Sequence, residues 1–360
     1  MKVFVTGGTG FVGSALVRSL CARGDVVTGL RRAESPVGRL GELPVRWVEA
    51  PLTDEPALAR ASAGAEVFFH VAADLSYSRR DRGRQFETNV LGTRAVAAAA
   101  LRVGARRLVH TSSVAAVGIR DGPTLLDESS PYSAAPLDIG YFETKRQAEG
   151  EVARAVERGL DAVTVNPSVV LGPGFGRGNS GAIVLAVAKR RIPFVPPGGV
   201  NCVGIDDVVS GHLLALERGR RGERYILGSE NLTYGALFER IARLAGVRPR
   251  GRSVRGGLLL GFVRALRALD RLGLVGRRLR PEALATLGRY LWFDSGKARR
   301  ELGWTPSPID AAIRATLEDF RARGVLPPRA RDLSEVPRSE PVPGPSPERG
   351  QGSLAHRRDL

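Results

Sequence analysis

The sequence predicts an α/β fold in which a doubly wound parallel sheet is followed by a smaller, mainly helical region. Short apolar runs alternate with longer helical patterns along the first half of the chain, as they do in right-handed βαβ units. A glycine-rich turn joins the first apolar run to the first helical pattern. The length of 360 residues suits one large α/β domain, alone or with a small companion.

The first element is a buried strand over Val3–Val5, and three glycines separate it from a helix. In this spacing the first glycine permits a tight turn, the second lets a pyrophosphate approach the backbone, and the third lets the helix lie close to the strand. The N–H groups of the helix N-terminus then attract the phosphates. The turn predicts a dinucleotide site at Gly7, Thr9, Gly10, Phe11, Val12 and Gly13, with a purely structural glycine turn as the alternative.

We expect the first helix to run from Phe11 to Arg23, and the second strand to cover Val26–Leu30. Arg31 and Arg32 stand at the end of that strand, where an acid would bind the free ribose 2′-hydroxyl of NAD. Guanidinium groups bind phosphate bidentately, so the pair predicts NADP, with NAD as the other cofactor. The alternative interpretation is an exposed charged turn.

Three more strands and an alanine-rich helix are expected, over Val45–Val48, Glu66–Ala73, Arg107–Thr111 and Asn89–Gly104. Asp54 is a candidate N-cap for a helix between the first two of these strands. The hydroxyls of Ser112 and Ser113 follow the last strand directly. Because ligands of open parallel sheets bind at the carboxyl ends of the strands, these hydroxyls are candidate site residues.

The next helix carries a candidate acid–base pair, Tyr141 and Lys145, behind a candidate N-cap at Asp138. Residues four apart share one face of a helix, so the two side chains lie together. A nearby ammonium favours the phenolate and lowers the pKa of the tyrosine toward the working range. Taken alone, such a pair is common on surface helices; the upstream glycine turn and serine pair favour the catalytic interpretation.

The domain prediction places a nucleotide-binding domain at 1–172, with its sheet completed by parts of 195–230, a substrate-binding region at 173–323, and a disordered tail at 324–360. Asp74–Arg84, Leu171–Gly178 and Arg252–Arg289 are the expected specificity segments. The charged apolar run Leu258–Leu274 predicts an amphipathic helix. It could pack against the domain, cover the mouth of the site or lie on a membrane surface.

The net charge of +17 is concentrated between positions 240 and 300, which hold sixteen Lys or Arg residues and three acids. Arginine-rich helix faces explain this without a partner; anionic substrates, membranes or nucleic acid are the alternatives.

The two cysteines, Cys21 and Cys202, predict no disulfide framework, and the four histidines show no metal-ligand spacing. Because the histidines lack this spacing, no metal is expected. We find no basic-plus-apolar leader, so the expected location is cytoplasmic.

An ordered set of motifs resembles the extended short-chain dehydrogenases/reductases. The motifs are TGGTGFVG, FHVAA, NVLGT, TSSVA, YFETK, NPSVVLGPG and VGIDDV, followed by GHLLALERGRRGERYILGSENLT and SGKARRELGWTP. The last two are similar to the dihydroflavonol-reductase-like branch, especially to the hopanoid-associated sugar epimerases. The resemblance covers residues 1–323 and implies a Rossmann fold.

The resemblance also implies roles for individual residues. Tyr141 would be the acid–base, Lys145 would lower its pKa and bind the nicotinamide ribose, and Ser113, with Ser112 as the alternative, would bind the substrate oxygen. The other implied cofactor-site residues are Leu52, Ala72, Ala73, Asn89, Pro167 and Ser168, of which Asn89 is structural or part of a proton relay in many members.

Two positions depart from relatives of particular kinds. Pro51 stands where the family usually has an adenine-binding Asp, so the backbone of Leu52 would have to replace that contact. Val114 and Ala115 follow the serines, where sugar-nucleotide dehydratases have acids, and this disfavours dehydration.

Three functions therefore remain open at this point. The first is an NAD(P)-dependent oxidoreductase that transfers a hydride between nicotinamide and a carbonyl or secondary alcohol. The second is a sugar or sugar-nucleotide epimerase with the same three catalytic residues. The third, from another class, is a non-catalytic NAD(P)-sensing protein, although such relatives typically lose the Tyr–Lys pair. The predicted partner is a small-molecule substrate, without specific nucleic acid or a favoured membrane contact, for a monomer or homodimer.

Overall fold

The computed structural model describes residues 1–174, 181–249, 251–253 and 281–328, and six helical positions between 261 and 269. Residues Met1–Pro327 form one compact unit. The predicted disordered tail lies outside the described residues from position 329 onward. Most of the predicted Leu258–Leu274 helix and part of the predicted specificity segment Leu171–Gly178 also lie outside them.

Seven parallel strands form the main sheet. They are β1 (Lys2–Thr6), β2 (Val26–Arg31), β3 (Val45–Glu49), β4 (Val67–His70), β5 (Arg107–Thr111), β6 (Ala162–Pro167) and β10 (Arg224–Leu227). Their order is β10-β6-β5-β4-β1-β2-β3. The order reverses between β1 and β4, and the crevice at such a switch point is where doubly wound sheets bind ligands. The predicted fold class is confirmed.

Helices cover both faces of this sheet. The helices of this half of the molecule are α1 (Phe11–Ala22), α2 (Glu55–Ala61), α3 (Arg82–Phe86), α4 (Gly92–Arg102), α5 (Gly140–Glu157) and α7 (Ile205–Arg218). Helices α6 (Gly181–Ala188) and α8 (Tyr234–Ala245) instead pack against each other. Helices α1 and α7 contact each other, and α4 contacts α2 and α5. The alternation of strand side chains sends Phe4, Phe68 and Leu108 into one core cluster and Val5, Phe69 and Val109 into another.

A second, four-stranded sheet adds to the helices of the C-terminal half. Its strands are β7 (Val169–Leu171), β9 (Gly199–Gly204), β11 (Glu230–Thr233) and β13 (Tyr290–Leu291), and β8 (Phe194–Val195) pairs with β12 (Arg252–Ser253). Two further helices cover Pro281–Leu284 and Ile309–Ala322. Within the described part of the chain, no helix has the length and apolarity needed to cross a bilayer.

The two predicted helix caps have different outcomes. The Asp54 carboxylate accepts a hydrogen bond from the Ala57 N–H at 2.9 Å, so this N-cap is confirmed. The Asp138 prediction is wrong: its backbone is left-handed (φ 46°), and the N-cap of α5 is Ile139, which gives no side-chain cap. The Asp138 carboxylate instead binds the guanidinium groups of Arg79 and Arg82.

Candidate active site

The glycine turn between β1 and α1 depends on contacts that no side chain would permit. Gly7 has a φ of 72°, and a Cβ there would lie 2.5 Å from the backbone nitrogen of Ala72. A Cβ at Gly13 would lie 2.1 Å from the carbonyl oxygen of Gly7. These two glycines therefore let α1 and the end of β4 pack directly against the turn.

Gly10 has a different environment, because it faces the open side of the turn. A Cβ there would meet only the Gly7 carbonyl oxygen, at 3.2 Å, and Gly10 is exposed. As the N-cap of α1 it offers no side chain, and the first turn of the helix holds no acid. An accessible helix N-terminus bordered by Thr9, Phe11 and Val12 fits the pyrophosphate of a dinucleotide.

Arg31 and Arg32 lie at the end of β2, as predicted, and both already pair with carboxylates. Arg31 binds Glu49 through its guanidinium group and donates a hydrogen bond to the Ala33 carbonyl at 3.2 Å. Arg32 lies 3.3 Å from Glu34, and 77% of its side chain is exposed. A 2′-phosphate would therefore meet one accessible guanidinium group and one partly neutralised by Glu49.

The predicted adenine side contains Leu52, Ala72 and Ala73. The Leu52 side chain packs on α4, where a Cβ at Gly92 would lie 2.7 Å from Leu52 Cδ2. Ala72 and Ala73 are half-buried just beyond β4, and the Ala72 N–H donates to the Thr6 hydroxyl at 3.4 Å. These residues offer backbone and apolar surface for the adenosine half of the cofactor.

The structure brings Tyr141 and Ser113 together. Tyr141 is 7% exposed, and the Ser113 side chain lies beside its hydroxyl. Burial raises the pKa of Tyr141, and the nearby Ser113 hydroxyl opposes this shift. The Ser113 oxygen also accepts a hydrogen bond from the Ala115 N–H at 3.2 Å, which leaves the Ser113 proton for donation. Ser112, the alternative, has a buried hydroxyl without a hydrogen-bond partner among the described residues.

Lys145 lies on the same helix, and its ammonium contacts the end of β5. Its ammonium donates a hydrogen bond to the Thr111 carbonyl oxygen at 2.8 Å. Burial lowers the pKa of Lys145 to about 8, against the opposing effect of the Glu149 carboxylate. The predicted roles of Lys145, lowering the pKa of Tyr141 and binding the nicotinamide ribose, stay predictions.

A second layer of polar contacts, which the sequence analysis missed, supports Ser113. The Asn166 amide donates to the Ser113 carbonyl at 3.0 Å and to the Glu149 carboxylate at 2.6 Å. Glu149 in turn pairs with Arg224 at 3.1 Å. Positions 141, 145 and 149 follow one another at helical spacing, a signal that would have placed Glu149 on the face of the catalytic pair.

The predicted nicotinamide side lies at the end of β6. Pro167 is buried, and the Ser168 N–H donates to the Leu227 carbonyl at 3.1 Å. The hydroxyl of Ser168 and the amide oxygen of Asn166 are buried and have no hydrogen-bond partner among the described residues. Such groups fit the carboxamide of a nicotinamide, which offers both a donor and an acceptor.

Asn89 supports the site from behind rather than facing a ligand. Its amide oxygen accepts from the Asp74 N–H at 2.7 Å. Its amide nitrogen donates to the Asp74 carbonyl at 3.0 Å and to the Thr144 hydroxyl at 3.1 Å. These contacts favour a structural role for Asn89 over direct contact with the cofactor.

Apolar side chains surround Tyr141 on its other sides. Its ring lies 5.5 Å from that of Tyr77, in the predicted specificity segment Asp74–Arg84. Burial raises the pKa of Tyr77 above its usual value. The cluster packed around Tyr141 includes Val114, Ile119, Leu126, Ile139, Leu291 and Phe293, with Tyr77, Leu284 and Leu287 half-buried at its border. We call this set the apolar cluster.

Three histidines lie in the core and are neutral at physiological pH. His70 bridges the hydroxyls of Thr6 and Thr93, and burial lowers its pKa to about 3. His212 bridges the Thr111 hydroxyl and the Val208 carbonyl, and burial lowers its pKa to about 4. Neither nitrogen of the buried His110 has a partner among the described residues. No group of three or more potential metal ligands occurs in the described ranges.

Known proteins match this chain over most of its length. The model of the NAD-dependent epimerase/dehydratase family matches residues 3–228. A candidate dihydroflavonol 4-reductase of Synechocystis sp. is 36% identical over 332 residues, which cover 90% of this chain and 95% of that protein. Sterol demethylase protein B of Methylococcus capsulatus is 35% identical, over 91% of this chain and 100% of that protein. The crystal structure of gox2253 has a TM-score of 0.81 at 37% identity and covers 90% of this chain and 98% of its own.

These matches agree with the motifs and with the geometry of the site. The reductases and dehydrogenases among the relatives show that the protein is an enzyme, so the non-catalytic alternative is set aside. The predicted resemblance to extended short-chain dehydrogenases/reductases is confirmed. The chain belongs to the NAD-dependent epimerase/dehydratase family.

Proposed function

We propose that the enzyme reduces a ketone on an apolar substrate to a secondary alcohol, with NADPH as the preferred cofactor. The observation that carries this proposal is the proximity of the Tyr141 and Ser113 hydroxyls, next to the carboxyl end of β5. Two hydroxyls beside the expected nicotinamide position can bind one carbonyl oxygen together.

The chemical roles follow from the donors that the chain provides. The bound nicotinamide supplies the hydride. The Ser113 hydroxyl donates a hydrogen bond to the substrate oxygen, and the Tyr141 hydroxyl delivers the proton to it. Lys145 holds the end of β5 through the Thr111 carbonyl and is proposed to bind the nicotinamide ribose. Asn166 fixes the backbone of Ser113 from behind.

The protonation state of Tyr141 favours reduction over oxidation. Because burial raises its pKa, the phenol is protonated at neutral pH and can act as an acid. The reverse reaction needs the phenolate, which becomes available only as the pH rises. We therefore propose that alcohol oxidation is favoured by alkaline conditions.

The apolar cluster indicates the class of substrate. Tyr77 packs against the ring of Tyr141, and Leu284 and Leu287 lie half-buried against the same cluster, so these members provide aromatic and aliphatic surface. Such surface suits ring systems or alkyl chains better than the hydroxyls and phosphates of a nucleotide sugar. Two relatives are named as a dihydroflavonol reductase and as a sterol demethylase protein, and both names refer to compounds with apolar ring systems.

The family is NAD-dependent, and the NADP preference is our proposal. It is supported by Arg32, which is accessible at the end of β2, and by Arg31 beside it. The Glu49 carboxylate on Arg31 opposes this preference. The ratio of NADPH to NADH affinity therefore depends on how far the 2′-phosphate replaces Glu49 as the partner of Arg31.

Two measurements test the proposal. Nucleotide released from denatured protein is identified by mass spectrometry, and turnover of NADPH and NADH is followed with apolar ketones and with UDP-sugars. We expect no tightly held nucleotide, and NADPH oxidation with apolar ketones. Bound NAD with interconversion of UDP-sugars, and no net cofactor oxidation, would instead establish the epimerase.

A further inference from the structure

The catalytic helix α5 obtains its N-terminal cap from a distant part of the chain. Its N-cap residue, Ile139, provides no side-chain acceptor, and Asp138 turns away in a left-handed conformation. The Glu282 carboxylate, 142 residues further on, accepts the Gly140 N–H at 3.2 Å. Gly140 is the first residue of α5, and Tyr141 is the second.

Arg82 holds this carboxylate in place. Its Nε and Nη2 atoms lie 3.1 and 2.8 Å from Glu282 Oε1, while its Nη1 atom lies 2.7 Å from Asp138 Oδ1. Each Glu282 oxygen therefore has its own donor, one from Arg82 and one from Gly140. Through these contacts α3, the turn before α5 and the helix Pro281–Leu284 meet at one buried carboxylate.

The burial of Glu282 makes these contacts strong. Only 4% of its side chain is exposed. A buried carboxylate needs compensation by positive charge and by N–H donors, and here it has a guanidinium group and the positive end of a helix. Movement of Glu282 would leave the Gly140 N–H without this acceptor, at the position next to Tyr141.

The segment that carries Glu282 also borders the candidate substrate position. Ala285 belongs to the apolar cluster around Tyr141, and Leu284 and Leu287 pack at its border. The Tyr77 ring packs against that of Tyr141, and the nearby Glu282 carboxylate adds to the rise in the pKa of Tyr77 that burial causes. A substrate that packs against this segment therefore contacts the same element that caps the catalytic helix.

We propose that Glu282 is a positioning residue for the reaction. By capping α5 at Gly140, it fixes the Tyr141 hydroxyl next to Ser113. It also couples the segment that carries Glu282 to the catalytic tyrosine. This inference rests on the proposed function of Tyr141. A displacement of about 1 Å at a reacting group can lower the rate by about 100-fold. Loss of the cap therefore affects the chemical step more than it affects cofactor binding at the glycine turn.

The test compares Glu282→Gln with Glu151→Gln. An amide has one acceptor and one donor end, so it cannot satisfy both Arg82 and Gly140. Glu151 is the matched control, because it lies ten residues after Tyr141 on α5, is 5% exposed and binds two arginines, Arg94 and Arg154. For each variant we would measure kcat, KM, the Kd for NADPH and the Tm.

We expect Glu282→Gln to lower kcat by about 10-fold or more, with the Kd for NADPH within about two-fold of wild type. Glu151→Gln should lower the Tm by a similar amount while its kcat stays within about two-fold. Arg82→Gln, which leaves the carboxylate but removes its anchor, should lower kcat in the same direction and by less. It also decides the question if Glu282→Gln does not fold.

The proposal is overturned if a folded Glu282→Gln variant keeps the wild-type kcat. It is also overturned if both glutamate variants lose kcat equally. If Glu282→Gln does not fold, a wild-type kcat in Arg82→Gln overturns it. Tyr141→Phe separates this failure from failure of the proposed function. If Tyr141→Phe is inactive while Glu282→Gln is fully active, the acid–base role stands and only the positioning role is wrong.

Discussion

The Ser113 side chain, just beyond β5, lies beside the hydroxyl of Tyr141 at the start of α5 and opposes the rise in its pKa that burial causes. The Ala115 N–H and the Asn166 amide fix Ser113 from the protein side. We propose that this pair binds one carbonyl oxygen, and the following variants test the proposal.

Tyr141→Phe should lower kcat by about 100-fold to 10,000-fold, because it removes the proton donor and keeps the packing of the ring. The Kd for NADPH should stay within about two-fold, since the glycine turn is untouched. Steady-state kinetics and fluorescence titration measure the two quantities. The control is Tyr225→Phe, which removes another buried hydroxyl, bonded to Arg220 and Glu301, and should lower only the Tm. Turnover that survives in Tyr141→Phe would show that another group supplies the proton.

Gly10→Ala and Gly13→Ala should separate cofactor binding from folding. A methyl at Gly10 meets only one backbone oxygen, at 3.2 Å, so the fold should persist while the Kd for NADPH rises by about 10-fold or more. A methyl at Gly13 would lie 2.1 Å from the Gly7 oxygen and should lower the unfolding free energy by about 2–4 kcal/mol. Urea unfolding and cofactor titration distinguish them. If both variants bind NADPH equally weakly and neither changes the unfolding free energy, the roles assigned to Gly10 and Gly13 are wrong.

Arg32→Ala should raise the Kd for NADPH by about 10-fold and leave the Kd for NADH within about two-fold, because only NADPH carries the 2′-phosphate. Arg31→Ala should have a larger effect on NADPH, since it also releases the Glu49 carboxylate to repel the phosphate. Isothermal titration with both cofactors measures these constants. The combined variant should show the largest difference between the cofactors, and equal losses for NADPH and NADH would argue for NAD.

The buried histidines should make the protein less stable as the pH falls below about 6.5. The pKa is about 3 for His70 and about 4 for His212 in the folded state. Between these pH values and the usual histidine pKa of about 6.5, the unfolded chain therefore binds more protons than the folded protein. Their contribution to stability is complete above pH 6.5 and is lost as the pH falls, by about 1.4 kcal/mol per histidine and pH unit.

His110→Leu isolates one of these contributions. Burial lowers the pKa of His110, and the Lys145 ammonium lowers it further. The variant should reduce the pH slope of the unfolding free energy by about 1.4 kcal/mol per unit between pH 6 and 5. Urea unfolding at pH 7, 6 and 5 measures it. An unchanged slope would mean that His110 is not held neutral in the folded protein.

Local patterns were enough to predict five of the seven strands of the main sheet and to propose the residues of the candidate site. The first turn needed glycines at three fixed positions, because backbone contacts leave no room for a Cβ at two of them. Helical spacing places Tyr141 and Lys145 on one face of α5, and the upstream glycine turn and serine pair made them catalytic candidates. The second sheet was not predicted, because its strands come from segments between positions 169 and 291 that pair only in the folded chain.

The sequence by itself determined the nucleotide fold, the family and the candidate catalytic residues, because these depend on short motifs whose residues act close together along the chain. Only the tertiary structure decided that Lys145 binds Thr111, that Asp138 gives up its capping position to pair with arginines, and that Glu282 caps α5. The physical reason is that burial and long-range ion pairs depend on the neighbours that folding brings together. A contact across 142 residues leaves no local signal in the sequence.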